Sequence, residues 1–118
     1  LQISENKYIC NMNRATIIES IKQTARQVVP SGSRVVLFGS QARGDYRADS
    51  DWDILILLNK TGRSTNSDFN STAYPFVELG WTIDTTINPI IYTSEEWEKR
   101  SFTPFYKNVT QEGVELWS

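Results

Sequence analysis

The chain has 118 residues, 39% hydrophobic and 22% charged, with a formal net charge of −2. That supports one domain with a modest core, leaves no room for a separate substrate domain, and gives no electrostatic case for nucleic acid as a partner. With no histidine and one cysteine, His-dependent triads and a conventional structural zinc site are excluded, and Cys10 reads as a reduced spectator thiol.

The chain opens on Leu1 while Met12 directly precedes the first periodic segment, so residues 1–12 read as an upstream extension or expression remnant and 13–118 as a single domain. From Arg14 to Val29, Ile17, Ile21, Ala25 and Val28 recur at helical spacing, Thr16 and Glu19 have capping-box spacing, and Pro30 supplies the stop. Val35–Phe38 and Ile54–Leu58 are short apolar runs bounded by turn residues, as buried strands are. The polar stretch Asn59–Ser67 reads as a loop beside the site, mobile enough to gate a ligand. Asp68 to Leu79 reads as a second helix ending at Gly80, bent or split by Pro75. Trp81 to Ile87 reads as a third strand, Asn88-Pro89 as a break, and Ile90–Tyr92 as a further short strand. Thr93 and Glu96 form a capping box for a helix over Glu95–Lys99. Thr103-Pro104 opens a last helix running to Gly113, and Val114–Trp117 is an extended tail. Phe102, Phe105, Tyr106 and Trp97 are core aromatics for the most part, with any left exposed marking a partner patch. No apolar stretch approaches a membrane span and no secretory pattern is present, so the expected address is the cytoplasm.

The chemistry is concentrated between Phe38 and Leu58. Gly39-Ser40 ends one strand, and after ten intervening residues Asp51-Trp52-Asp53 opens the next. Strand side chains alternate, so Asp51 and Asp53 share one side while Trp52 and Ile54 take the other. Two adjacent carboxylates repel unless a cation lies between them, and Mg²⁺, a hard ion held by one or two carboxylates plus phosphates, suits such a pair. Backbone N–H groups at the Gly39 turn, with the Ser40 hydroxyl, suit an anionic phosphate. Arg34, Arg43, Arg47, Lys60 and Arg63 gather around the motif in sequence, and Arg43 is the one expected to meet a triphosphate. A calcium loop fails because Ile54 and Lys60 stand where Gly and Glu are required, and a P-loop fails because Asp45-Tyr46 replaces the Lys-Ser/Thr pair.

Gly39-Ser40-Gln41-Ala42-Arg43-Gly44 followed by Ser50-Asp51-Trp52-Asp53 resembles the DNA polymerase beta-like nucleotidyltransferase superfamily, and within it the minimal nucleotidyltransferases. Four such fixed positions arise by chance about once in 10⁵ starts. The resemblance implies an α/β (α+β) fold whose mixed β-sheet carries the carboxylates on one face and packs helices on the other. It implies a third carboxylate on a neighbouring strand, for which Asp84 is the candidate, so that Asp51, Asp53 and Asp84 hold two Mg²⁺ ions and Gly39, Ser40 and Arg43 bind the nucleotide. The implied reaction moves a nucleoside monophosphate, AMP from ATP, to an acceptor hydroxyl with release of pyrophosphate. Such enzymes are often encoded beside a helical HEPN toxin, which they silence by adenylylating a tyrosine, so an antitoxin role follows from the resemblance. Two alternatives remain: an adenylyltransferase acting on aminoglycosides, and a non-catalytic antitoxin that occludes its partner. A homo-oligomer is compatible with the sequence.

Overall fold

A computed structural model describes residues 13–118, and the readings placed on residues 1–12, Cys10 and Met12 among them, lie outside that range. Helix α1 (Arg14–Val28) buries Ile17, Ile21 and Ala25, as the stripe requires. Its cap is Asn13, whose Oδ1 accepts the Thr16 N–H at 2.9 Å. Thr16 therefore lies inside the first turn and does not begin a capping box. After α1 come β1 (Arg34–Phe38), α2 (Ser40–Arg43) and β2 (Trp52–Leu58). A helical stretch then runs through α3 (Asn66–Asp68), a π-helical turn (Phe69–Ala73) and α4 (Tyr74–Thr82). The chain finishes with β3 (Ile87–Thr93), α5 (Ser94–Glu98), α6 (Pro104–Glu112) and β4 (Val114–Trp117).

The four strands form one mixed sheet in the order β3-β2-β1-β4. β2 pairs parallel with β3 and antiparallel with β1, and β1 pairs antiparallel with β4. Alternation along β2 divides the core into two layers. Trp52, Ile54, Ile56 and Leu58 join Ile17, Ile21, Ala25, Ala73 and Phe76 beneath α1 and α4, which is the expected helical layer. Leu55 and Leu57, on the face that also carries Asp53, pack with Val36, Trp97 and Val109 beneath α5 and α6. Among the described residues, the carboxylate face is thus covered along its lower part by α5 and α6. Burying aliphatic side chains such as Ile54, Leu55 and Ile56 contributes roughly 1.5–3 kcal/mol each, and this fixes the strand that carries the site.

The region after β2 is interrupted before Pro75, as expected, and departs from its sequence reading at three places, Gly80, Trp81–Ile87 and Asn88-Pro89. Pro75 has no N–H for the turn before it; the chain accommodates this by widening, and the Tyr74 N–H reaches back to the Phe69 carbonyl across the π-helical turn. The helix then continues through Gly80 to Thr82. Gly80 is a contact glycine rather than a stop, since a Cβ there would lie 2.7 Å from the Thr85 carbonyl oxygen and 3.2 Å from the Ile87 nitrogen. The expected strand over Trp81–Ile87 is therefore a helix end and a turn, with Asp84 at a left-handed φ of 56°. The true strand begins at Ile87 and passes unbroken through Pro89 to Thr93. Trp52 N–H donates to the Thr86 carbonyl, and in a parallel ladder alternate residues face the same neighbour, so the Pro89 nitrogen points off the outer edge, where no donor is needed.

The polar loop after β2 is not a gate at the site. It leaves the opposite end of β2, about 17 Å from Asp53 at ~3.3 Å per residue. It is also tied down: Gly62 N–H donates to Glu95, Ser64 N–H to Glu96, Thr93 Oγ1 to the Gly62 carbonyl and Ser94 Oγ to the Lys60 carbonyl. The α5 capping box between Thr93 and Glu96 is present as expected, as are the Thr103 cap and Pro104 start of α6. Among the described residues no helix is long and apolar enough to cross a membrane.

Candidate active site

The pairing of β1 with β2 places Phe38 opposite Asp53, so the residue after Phe38 meets the carboxylate directly. That residue is Gly39, at φ 74° and ψ −159°, a backbone conformation essentially confined to glycine. A Cβ there would lie 2.6 Å from Asp53 Oδ2. Turn and carboxylate are therefore in contact, and the glycine permits both the chain reversal and the approach. Ser40 begins α2, whose internal bonds start with the Ala42 and Arg43 N–H groups on the Gly39 carbonyl. Gly44 closes it in the left-handed region, its N–H on the Ser40 carbonyl.

The buried Gln41 fastens this turn to its surroundings. Its Oε1 accepts from Arg14 Nη1 at 3.1 Å, Arg14 Nη2 donates to its carbonyl, and its Nε2 donates to the Ser50 carbonyl at 3.4 Å. Ser50 in turn closes a small loop, accepting the Arg47 N–H at 2.7 Å. The segment leading into Asp51 is thus held to the turn, an arrangement that the Gln-Ala step of the motif does not reveal by itself.

Asp51 and Asp53 come together as alternation demands. Asn88, opposite Asp53 on the neighbouring strand, donates through Nδ2 to Asp51 Oδ2 at 3.0 Å and to Asp53 Oδ1 at 3.2 Å. Both carboxylates therefore converge on one point. Asp84 does not join them: it lies in the turn after α4 and lines a cavity of about 200 Å³ with Arg14, Tyr46 and Trp52, whose ring points away from the carboxylate face. Among the described residues no three Asp, Glu, Cys or His side chains are grouped to hold a metal ion. The expected triad is therefore a pair of carboxylates with an amide beside it. Two carboxylates and one amide still offer oxygen donors only, the kind a hard ion such as Mg²⁺ takes alongside substrate phosphates.

The basic residues separate once folded. Arg34 and Lys60 belong to the far end of the sheet, paired with Glu115 and Asp68. Arg43 lies at the site end but is turned to Asp45 at 3.3 Å and Glu112 at 3.7 Å. On the β3 side, a groove of about 240 Å³ runs between α4 and β3, lined by Val77, Trp81, Thr86, Asn88 and Pro89. Trp81 is 68% exposed there.

A sheet that opens on a glycine-serine turn and two convergent aspartates is the arrangement of a nucleotidyl-transferring domain, and the profile described as "Nucleotidyltransferase domain" matches residues 18–113. The chain belongs to that family and is a nucleotidyltransferase. Two proteins of Methanocaldococcus jannaschii are similar to it. "Putative protein adenylyltransferase MJ0604" is 34% identical over 84 residues, 71% of this chain and 77% of that protein. "Putative protein adenylyltransferase MJ0141" is 35% identical over 104 residues, 85% of this chain and 98% of that protein. Two crystal structures share the fold. A toxin-antitoxin with AMP-PNP superposes with a TM-score of 0.62 at 21% identity, over 86% of this chain and 73% of that one. A mutant of the toxin-antitoxin MntA-HpeT gives 0.60 at 19% identity, over 86% and 72%.

Proposed function

We propose that this chain transfers AMP from ATP to a hydroxyl of a protein, with release of pyrophosphate. The observation that carries this reading is the convergence of Asp51 and Asp53 on one point in contact with the Gly39 turn. In the transfer, an oxygen–phosphorus bond forms between the acceptor hydroxyl and the α-phosphorus, the α–β anhydride breaks, and the hydroxyl proton leaves to solvent. Mg²⁺, when bound by Asp51 and Asp53, would neutralise phosphate charge and polarise the α-phosphoryl group.

This chain's own residues align the reactants. The Gly39-Ser40 turn holds the terminal phosphates through backbone N–H groups and the Ser40 hydroxyl, which directs the α–β bond along the β1 side of β2. Arg43 reaches those phosphates on exchanging Asp45 and Glu112 for them. In-line displacement requires the acceptor opposite the leaving group, hence from the β3 side, where the Trp81-flanked groove opens next to Asn88.

The acceptor we assign is a tyrosine of a helical, HEPN-type partner, which makes the chain an enzymatic antitoxin. The names of the two relatives and the toxin-antitoxin assemblies that share the fold support this acceptor class. Incubation with ATP labelled in the α-phosphate, Mg²⁺ and candidate acceptors tests it. Label should pass to a partner protein, and Asp53→Asn should abolish transfer while melting near the wild-type temperature. Label on an aminoglycoside instead, or partner inhibition undiminished by loss of Asp53, would overturn it.

A further inference from the structure

We propose that Asn88 is the third side chain of the cation site and that its amide turns over to present Oδ1 when the cation binds. This rests on the reading of Asp51 and Asp53 as cation ligands. The amide Nδ2 lies 3.0 Å from one carboxylate and 3.2 Å from the other, so its N–H₂ edge stands where positive charge belongs between two anions. Register holds it there: Asn88 pairs with Asp53 across parallel strands, which puts both side chains on one face about 4.8 Å apart along the hydrogen-bonding direction.

The two ends of a side-chain amide have nearly the same shape, one donating and the other accepting. Rotation about the terminal torsion exchanges them without moving β3. A hydrogen-bonded clasp then becomes a neutral oxygen ligand, and the backbone that fixes the clasp also fixes the ligand. Two consequences follow from chemistry alone. The protein brings a charge of −2 to the ion rather than −3, which balances one divalent cation and leaves further positive charge to be matched by the triphosphate. An amide also cannot take the proton of the acceptor hydroxyl.

The test is Mn²⁺ binding, read from the free-ion electron paramagnetic resonance signal, with the wild type and with Asp53→Asn, Asn88→Leu and Asn88→Asp. In parallel, the Asn88 side-chain ¹⁵N signal is followed during Mg²⁺ titration of the wild type. Asn88→Leu should weaken binding about tenfold, the effect of losing one ligand contact worth ~1.4 kcal/mol. Asn88→Asp should tighten binding, and the Asn88 amide signal should shift on saturation. Wild-type affinity in Asn88→Leu, together with an unmoved amide signal and weakened binding in Asp53→Asn, would overturn the role of Asn88 and leave the carboxylate pair standing. Binding unaffected by any of the three substitutions would overturn both. Should Asn88→Leu not fold, the amide signal and Asn88→Asp decide the matter.

Discussion

Gly39 shows how closely chemistry and backbone are joined here. Any side chain at that position meets Asp53 Oδ2 and must also adopt a backbone conformation that costs non-glycine residues about 1–3 kcal/mol. Gly39→Ala should therefore lower stability by roughly that amount in urea titrations and displace the carboxylate, with loss of transfer greater than the loss of folded protein. A variant that is destabilised yet fully active per folded molecule would show that contact between turn and carboxylate is dispensable. Asn88 is the functional candidate that the sequence did not disclose. Its signal is conditional: it becomes visible only when β3 is known to start at Ile87, since only then does Asn88 fall opposite Asp53. The β-branched residues on either side of Asp84, from Thr82 to Ile87, hid that start, because local strand preference there yields to the packing of Gly80 against Thr85 and Ile87.

Among the elements, α5 carries a measurable pH dependence. Burial pushes the Glu96 carboxyl up, but the N–H groups of Thr93 and Ser64, with a hydroxyl bond from Ser64 and the Arg100 charge, outweigh it and hold it below its ordinary value. Asp68 is lowered by the hydrogen bond from Lys60 and by the Thr65 N–H. Both groups have a folded pKa below the unfolded one, so their stabilisation is full above the unfolded values, 4.5 and 3.8, and is lost as pH falls through the lower folded values. Glu96→Gln keeps a capping acceptor without the titration. Its urea midpoint should fall less steeply than that of the wild type below about pH 4.5, near the ordinary glutamate pKa, and an unchanged acid limb would remove Glu96 from the account. The capping box of α5 and the Thr103-Pro104 start of α6 were legible because caps are local chemistry. The loop from Asn59 to Ser67 was not, since its immobilising hydrogen-bond partners, Thr93, Glu95 and Glu96, lie about thirty positions later in the chain.

For the whole molecule, the second layer decides whether the site has a platform. Trp97 packs its ring against Tyr92, Phe105 and Tyr106 at centroid distances of 5.9, 5.7 and 4.7 Å and shares a core with Leu55 and Leu57. Trp97→Ala should cost about 3–5 kcal/mol, a large part of the 5–15 kcal/mol typical of a domain. Thermal melts should show either a steep drop in midpoint or no cooperative transition, and a drop of only a few degrees would mean that this layer contributes little. The core aromatics were foreseeable from their density in the sequence, whereas Phe102 stays 78% exposed, since nothing in a one-dimensional pattern says which ring lies outside the packed layer. The two central strands were equally plain, because an unbroken apolar run such as Ile54–Leu58 admits few other uses.

Pro89 bears on how a macromolecule can approach this enzyme. Sheets with a bare margin invite foreign strands to zip on, residue by residue; here the missing amide hydrogen falls immediately beside Asn88 and interrupts any such ladder at the point where chemistry would occur. If the acceptor is a polypeptide, as proposed above, its hydroxyl comes as a protruding side chain from a helix or a bend and not as an added strand, so that shape, more than extended sequence, would be discriminated.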